Sequence, residues 1–182
     1  MAGSPPDHPK SAPGSSRKPP RKSSPKLSSK PLRKPLSGGT DHLRTVHHEG
    51  YDAGINSLFV PAIKVEAGKL VFISGMTCAP TYHQHPHRPE DFDAIPGDAA
   101  GQAVIAYRHL GQALKAAGCE PSHVVSLTRF LTHLAEDQDA INRVQGEFFN
   151  GHLPTSTTVE VKRMATDPRI RLEIQAIAVA PA

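Results

Sequence analysis

The sequence predicts an α+β fold, a sandwich in which two helices cover one face of a mixed sheet. Three observations carry that expectation. The elements read β-β-α-β-α-β-β along the folded part, only two segments have helical apolar spacing, and the last strand is apolar on both of its faces. Two helices cover one face of a sheet this size. With no third helix for the other face, copies of the same sheet are expected to pack together in an oligomer.

Leu58–Glu66 (LFVPAIKVE) and Lys69–Met76 (KLVFISGM) read as two strands joined by Ala67-Gly68, a turn of hairpin type. A polar loop rich in His and Pro follows, Thr77–Pro96. Asp98 then suits the N-cap of a helix running to about Ala117, with Ala103, Ala106, Tyr107, Leu110, Ala113, Leu114 and Ala117 on one stripe and Gly118 as its stop. Val124–Leu134 (VVSLTRFLTHL) has the β-branched content of a strand. Glu136–Phe149 reads as a second helix, with Ile141, Val144 and Phe148 aligned and Asn150-Gly151 ending it. Strands at Ser156–Lys162 and Ile170–Val179 (IRLEIQAIAV) close the chain.

Composition divides the chain into a tail, residues 1–47, and a folded domain, residues 48–182. The tail holds nine of the 18 prolines, nine serines, ten Lys/Arg against two Asp, and no Phe, Tyr or Trp. Such a segment cannot bury enough apolar surface to offset its ordering entropy, so disorder is expected there. The folded part carries a net charge of −4, so the basic pI belongs to the tail. The run SRKPPRKSSPK suits an arm for nucleic acid or an anionic surface, but it lacks aromatic residues to stack on bases, and a solvated extension is the simpler expectation. Neither a secretory signal nor a membrane span is legible, and a cytoplasmic protein with no membrane partner is expected. Cys78 and Cys119 stand in neither C-x-x-C nor zinc spacing, which fits ordinary thiols in a reducing compartment.

On the strand from Ser156, the alternation puts Ser156, Thr158 and Glu160 on one face and Thr157, Val159 and Val161 on the other. The apolar set is expected on the core side and the polar set toward a cleft, an interface or solvent. Glu173 interrupts the apolar final strand. A carboxylate there is costly unless it pairs, with Arg171 or Arg163 as candidates, or has a chemical task. TYHQHPHRPED brings His83, His85 and His87 into one tract. The intervening Pro86 and the absence of Cys weaken a closed zinc site, so no metal is expected and the loop is read as shaping access to a cleft.

FISGMTCAP, AGQAVIAYRHLGQALKAAGCEPSHVVSLTRFL, INRVQGEFFNGHLPTSTTVEV and RLEIQAIAVAPA, in that order, resemble the Rid (YjgF-type) family of reactive-intermediate deaminases over roughly residues 58–180. The resemblance implies a chorismate-mutase-like fold and a homotrimer with a central barrel of sheets. It also implies clefts between subunits and a small-molecule substrate, with no cofactor. In the deaminase branch an arginine follows Pro-x and grips the substrate carboxylate, a cysteine often lies two residues later, and a glutamate on the last strand orients the attacking water. Matched residue by residue, Ser156 takes the arginine position, Thr158 the cysteine position and Glu173 the glutamate position. Gly75, with Met76 beside it, matches the strand-end segment whose main chain lines the cleft, and a family tyrosine falls on Pro61.

The resemblance therefore implies Glu173 as the catalytic group and Gly75, Met76, Ser156 and Thr158 as substrate contacts. The carboxylate-gripping cation is missing at Ser156, and Arg129 or Arg163 is the candidate substitute. Enamine or imine hydrolysis, deamination or tautomerisation is the expected chemistry. The PTSTT segment resembles the PTRTT pattern of 2-aminomuconate deaminases. A non-catalytic trimer that binds a small molecule as a regulatory or scavenging protein is the alternative.

Overall fold

In the computed structural model, which describes residues 40–55 and 57–182, the first strand lies where the sequence reading had placed the tail. Strand β1 (Leu43–Val46) pairs antiparallel with β2 (Ala62–Val65), Leu43 opposite Val65 and Val46 opposite Ala62. The folded part thus begins before residue 48, and SRKPPRKSSPK lies outside the described residues. The expected hairpin is also replaced. Gly68, at φ +107°, turns the chain away from β2, and β3 (Lys69–Met76) joins a different sheet. A side chain at Gly68 would stand 2.5 Å from the Ala180 carbonyl oxygen, so the turn packs directly on the end of the last strand.

Asp98 caps helix α1 (Ala99–Ala116) as expected, its carboxylate accepting the Gly101 amide at 2.8 Å, and Gly118 ends it at φ +70°. Strand β4 (Val124–Leu131) stops three residues early, and α2 (Leu134–Phe149) begins two residues before the expected start. Asn150 in the left-handed region and Gly151 at φ +95° end α2. Strands β5 (Thr155–Glu160) and β6 (Leu172–Ala180) follow.

The main sheet has the order β3-β6-β4-β5, with β6 antiparallel to both neighbours and β4 parallel to the edge strand β5. The parallel pair requires a crossover, and α2 supplies it. Both helices pack on one face. Leu110, Leu114, Leu127, Leu131, Ile141, Leu172 and Ile174 are essentially closed to solvent there, each worth roughly 1.5–3 kcal/mol of apolar burial. Arg171 fastens the start of β6 to α2 through Asp137 at 2.7 Å, and its amide donates to Gln102 of α1 at 2.7 Å.

The other face has no helical cover. It carries Leu70 and Phe72 of β3, Glu173, Gln175 and Ile177 of β6, Phe130 of β4 and Val159 of β5. Phe72 is 74% exposed and Leu70 59%. This reverses the expected sidedness of β5. Ser156 pairs with Leu127 and Thr158 with Arg129, so the polar positions face the helices, while Thr157 and Val159 lie on the open face. The helix side accepts a polar row because Arg129, 6% exposed, bridges from Thr158 to Asn142 of α2. No helix among the described residues is long and apolar enough to cross a membrane.

Candidate functional site

Glu173 sits near the start of β6, on the open face, opposite Phe130 of β4. On its other side β3 is irregular between Ile73 and Met76, and this break brings Gly75 beneath the Glu173 side chain. A Cβ at position 75 would collide with Oε1 of Glu173 and lie 2.7 Å from its Cδ. Only glycine leaves room for the carboxylate, so Gly75 and Glu173 form one unit.

That carboxylate is half-buried and has no ion-pair partner among the described residues. Arg171, one of its expected partners, is committed to Asp137 and Glu136. Glu173 instead opens into a hollow of about 240 Å³ lined by Phe130, Val161, Arg163, Met164, Ala165 and Glu173. Arg163 is the cation of this hollow. It lines the same depression as Glu173, and no ion pair joins the two within 4 Å.

The loop carrying Arg163 is held by a compact set of bonds. Asp167 accepts the Arg169 amide at 2.8 Å and its guanidinium at 3.0 Å, and this contact keeps the Asp167 carboxyl below the usual carboxylate range. Arg169 reaches on to the Pro89 carbonyl at 3.0 Å and to Asp93 at 3.3 Å. Gln102, 1% exposed, donates to the Pro96 and Arg169 carbonyls at 2.9 Å each. Beneath the loop, Met164 and Ile170 join Cys78, Ala79 and Phe92 in a small apolar cluster. Cys78 is part of it, and burial pushes its thiol up to about 11, which leaves little nucleophilic thiolate at neutral pH. Cys119 is also buried and its thiol is raised by desolvation. Neither cysteine reaches the hollow.

Ser156, Thr158 and Arg129 form a second group, on the opposite face of the sheet from Glu173. Arg129 Nε and Nη2 donate to the Thr158 hydroxyl at 3.0 and 2.8 Å, and Nη1 donates to Asn142 at 2.8 Å. Burial holds its guanidinium below the ordinary arginine value. Ser156 and Thr158 are half-buried on the edge strand β5. Within one chain, then, Gly75, Glu173 and Arg163 come together, with Met76 at the end of the same strand. Ser156, Thr158 and Arg129 come together elsewhere. Of the two candidate cations, Arg163 shares the hollow with Glu173, and Arg129 organises β5.

Sequence reasoning did not find Phe130, Met164 and Ala165 as lining residues. Phe130 was legible only as one member of an apolar strand, and the loop from Lys162 to Arg169 has no periodicity to betray a site. Its one signal is the pair of arginines, Arg163 and Arg169, in a turn-rich segment. The His tract also looks different in three dimensions. His83, His85 and His87 turn inward on one another despite Pro86, with their ring centroids 4.4–5.1 Å apart.

Comparison with known proteins shows the family of the chain. A family model described as Endoribonuclease L-PSP matches residues 55–180. Protein DfrA of Myxococcus xanthus is 37% identical over 118 residues, 65% of this chain and 82% of that one. A 2-iminobutanoate/2-iminopropanoate deaminase of Rattus norvegicus is 36% identical over 91 residues, 50% of this chain and 64% of the rat protein. Among solved structures, the Rid-family protein YyfB from Yersinia pestis, whose function is given as unknown, superposes with a TM-score of 0.62 at 23% identity, covering 76% of this chain and 98% of that one. That likeness extends to the fold alone, a mixed α+β sandwich with the chorismate-mutase-like arrangement. The matched span takes in both helices, β3 to β6 and the Gly75–Glu173 unit, and the chain belongs to the Rid (YjgF-type) family, matched under the description Endoribonuclease L-PSP.

Proposed function

We propose that the chain hydrolyses small reactive imines or enamines, releasing the amine, in the hollow beside Glu173. The observation that carries this reading is the Gly75–Glu173 unit: an unpaired carboxylate, seated where a side chain at position 75 would not fit, at the edge of a depression that also holds Arg163. The name of the rat relative, an imine deaminase, supports the reaction class.

In this mechanism Glu173 accepts a proton from a water held against it, and the hydroxide oxygen bonds to the imine carbon. Glu173 passes that proton to the nitrogen, giving a neutral carbinolamine. Glu173 then takes the carbinolamine hydroxyl proton as the carbonyl forms and the C–N bond breaks, and delivers it to the departing nitrogen, which leaves as ammonia or an amine. Positioned general acid–base catalysis of this kind contributes roughly 10²–10⁴-fold. Arg163 supplies the cation for an anionic group of the substrate, in place of the family arginine that Ser156 lacks. The volume suits a metabolite smaller than a drug-sized ligand.

Ser156 and Thr158, supported by Arg129, complete the site from the edge strand of a second copy in a homotrimer. The main chain at Gly75 and Met76 forms the opposite wall. Glu173 and Ser156 lie on opposite faces of the sheet within one chain, so a site containing both requires this arrangement.

Imines generated in situ from a panel of amino acids, and from amines without a carboxylate, test the proposal. Wild type should turn over at least one of them. Glu173→Ala should lose about 10²–10⁴ in kcat, and Arg163→Ala should raise KM for the carboxylate-bearing imines alone. Absence of turnover by the intact oligomer across the panel would overturn the enzyme reading in favour of a ligand-binding protein that kept the cleft.

A further inference from the structure

The loop between β3 and α1 carries three histidines that the proposed reaction does not use. One ring nitrogen from each of His83, His85 and His87 lies within 4.8 Å of the other two. The Nε2 atoms of His83 and His87 are 3.2 Å apart. Tetrahedral zinc, with Zn–N bonds of about 2.0–2.1 Å, separates two nitrogen ligands by roughly 3.3–3.4 Å. This pair therefore already stands at ligand spacing, and the exposed His85 offers the third ring nitrogen within 4.8 Å of both.

The tautomer of His83 suits the same role. Its Nδ1 lies 2.8 Å from the Pro80 carbonyl oxygen, which accepts and never donates. The ring proton is thus on Nδ1, and Nε2 presents its lone pair toward the other two rings, an outer-shell arrangement typical of metal-bound imidazole. The rings rest on a firm base. Phe92, 1% exposed, meets His83 and His87 edge-on at centroid distances of 5.3 and 5.7 Å. Arg169 pins the Pro89–Asp93 turn from below.

The donor set narrows the ligand. Asp91 lines the same hollow as His83, together with Tyr82 and Gln84, but its carboxylate is engaged by Arg88 at 2.6 Å. Three imidazoles without thiolate or free carboxylate favour zinc and its late-transition neighbours over magnesium or calcium. We propose that His83, His85 and His87 bind one Zn²⁺ per chain, with the fourth coordination position open to solvent. A hydrogen bond from His87 Nε2–H to His83 Nε2 is the competing account of the 3.2 Å approach, and it requires no ion.

Full-length protein, stripped of metal with a chelator, is titrated with Zn²⁺ against a chromophoric competitor and separately with Co²⁺. One equivalent of Zn²⁺ per chain is expected, together with the visible absorption of four-coordinate, nitrogen-ligated Co²⁺. His83→Asn, His85→Asn and His87→Asn should each weaken binding by more than the roughly 10–100-fold that loss of an outer-shell partner costs. His47→Asn, at a histidine outside the loop, should bind as wild type does. The cobalt spectrum of wild type stands as evidence even where a variant misfolds, and far-UV circular dichroism identifies such a variant. No Zn²⁺ uptake, uptake undiminished in the triple variant, or ring-nitrogen NMR showing His87 Nε2 still protonated at saturating Zn²⁺ would each overturn the site.

Discussion

At the residue scale, the glycine with the least room for a side chain among the described residues is Gly75. A methyl group there would overlap the Glu173 carboxylate, so Gly75→Ala has to push Glu173 off its seat or move β3. The strand end around Ser74 and Gly75 is exposed, so the chain has room to adjust, and the stability cost should stay within the roughly 1–3 kcal/mol of ordinary overpacking. The catalytic cost should be larger, because a misplacement of about 1 Å is worth about 10²-fold in rate. Gly75→Ala is therefore expected to resemble Glu173→Ala in imine turnover while still melting cooperatively, with a midpoint lowered by roughly 2–4 °C per kcal/mol lost. A variant with full activity would show that the carboxylate is not used where it stands.

The pairing of Gly75 with Glu173 was legible in the sequence only through family resemblance. Alternation explains why Glu173 interrupts an apolar strand, but nothing in the spacing of two residues 98 positions apart says that one sits on the other. Arg129 and Arg163 show the same limit. Both were candidate cations by residue type, and only the register of β4 against β5 and the path of the 161–171 loop separate them. One is bonded into the helix side of the sheet and the other is among the residues that line the hollow.

At the scale of elements, the turn joining α2 to β5 makes stability depend on pH. His152 donates from Nε2 to the Val124 carbonyl at 2.6 Å, and burial holds its folded pKa below the ordinary value. Above about pH 6.5 the ring is neutral in both folded and unfolded chains and contributes no pH dependence. As pH falls through that value, the unfolded chain takes up a proton that the folded chain refuses. Stability therefore declines, at no more than about 1.4 kcal/mol per pH unit, until the folded ring also protonates. His152→Gln keeps a donor for Val124 but cannot titrate. Denaturant melts from pH 7.5 down to 5 should show a shallower decline for the variant than for wild type; parallel curves would mean that His152 titrates alike in both states.

The helices were the most legible elements, because a cap, a 3.6-residue stripe and a terminal glycine act within a few residues of one another. Asp98, Leu110, Leu114 and Gly118 all do what their positions suggest. Strand pairing was less legible. Ala67-Gly68 has the chemistry of a hairpin turn, yet β2 finds its partner in β1 and β3 in β6, each through contacts distant in sequence. The strand at Leu43–Val46 was missed because its composition blends into the basic, proline-rich segment before it.

For the whole molecule, the open face of the sheet is the feature that remains to be explained. Phe72 stands opposite Ile177 and Leu70 opposite Val179, and Val159 on the edge strand adds a further exposed apolar side chain at 39%. The alternation of β5 suggests that its apolar set marks the core side, and in one chain it does the reverse. Its apolar members point away from the helices. That conflict disappears if the open face is itself buried by other copies, since a sequence pattern records every burial the chain undergoes, including burial between subunits. An apolar row on a helix-free sheet is also the geometry that would bring the β5 edge of one copy toward the Gly75–Glu173 unit of the next. Phe72→Asp tests this directly. The side chain is exposed within the chain, so the substitution should leave the fold intact, but it would place a charge on the face that other copies are expected to cover. Light scattering after size exclusion should give three chains per particle for wild type and a shift toward single chains for Phe72→Asp, with imine turnover lost alongside. A wild-type particle of one chain would remove both the trimer and any site shared between copies, and would leave Arg163 and Glu173 to act alone.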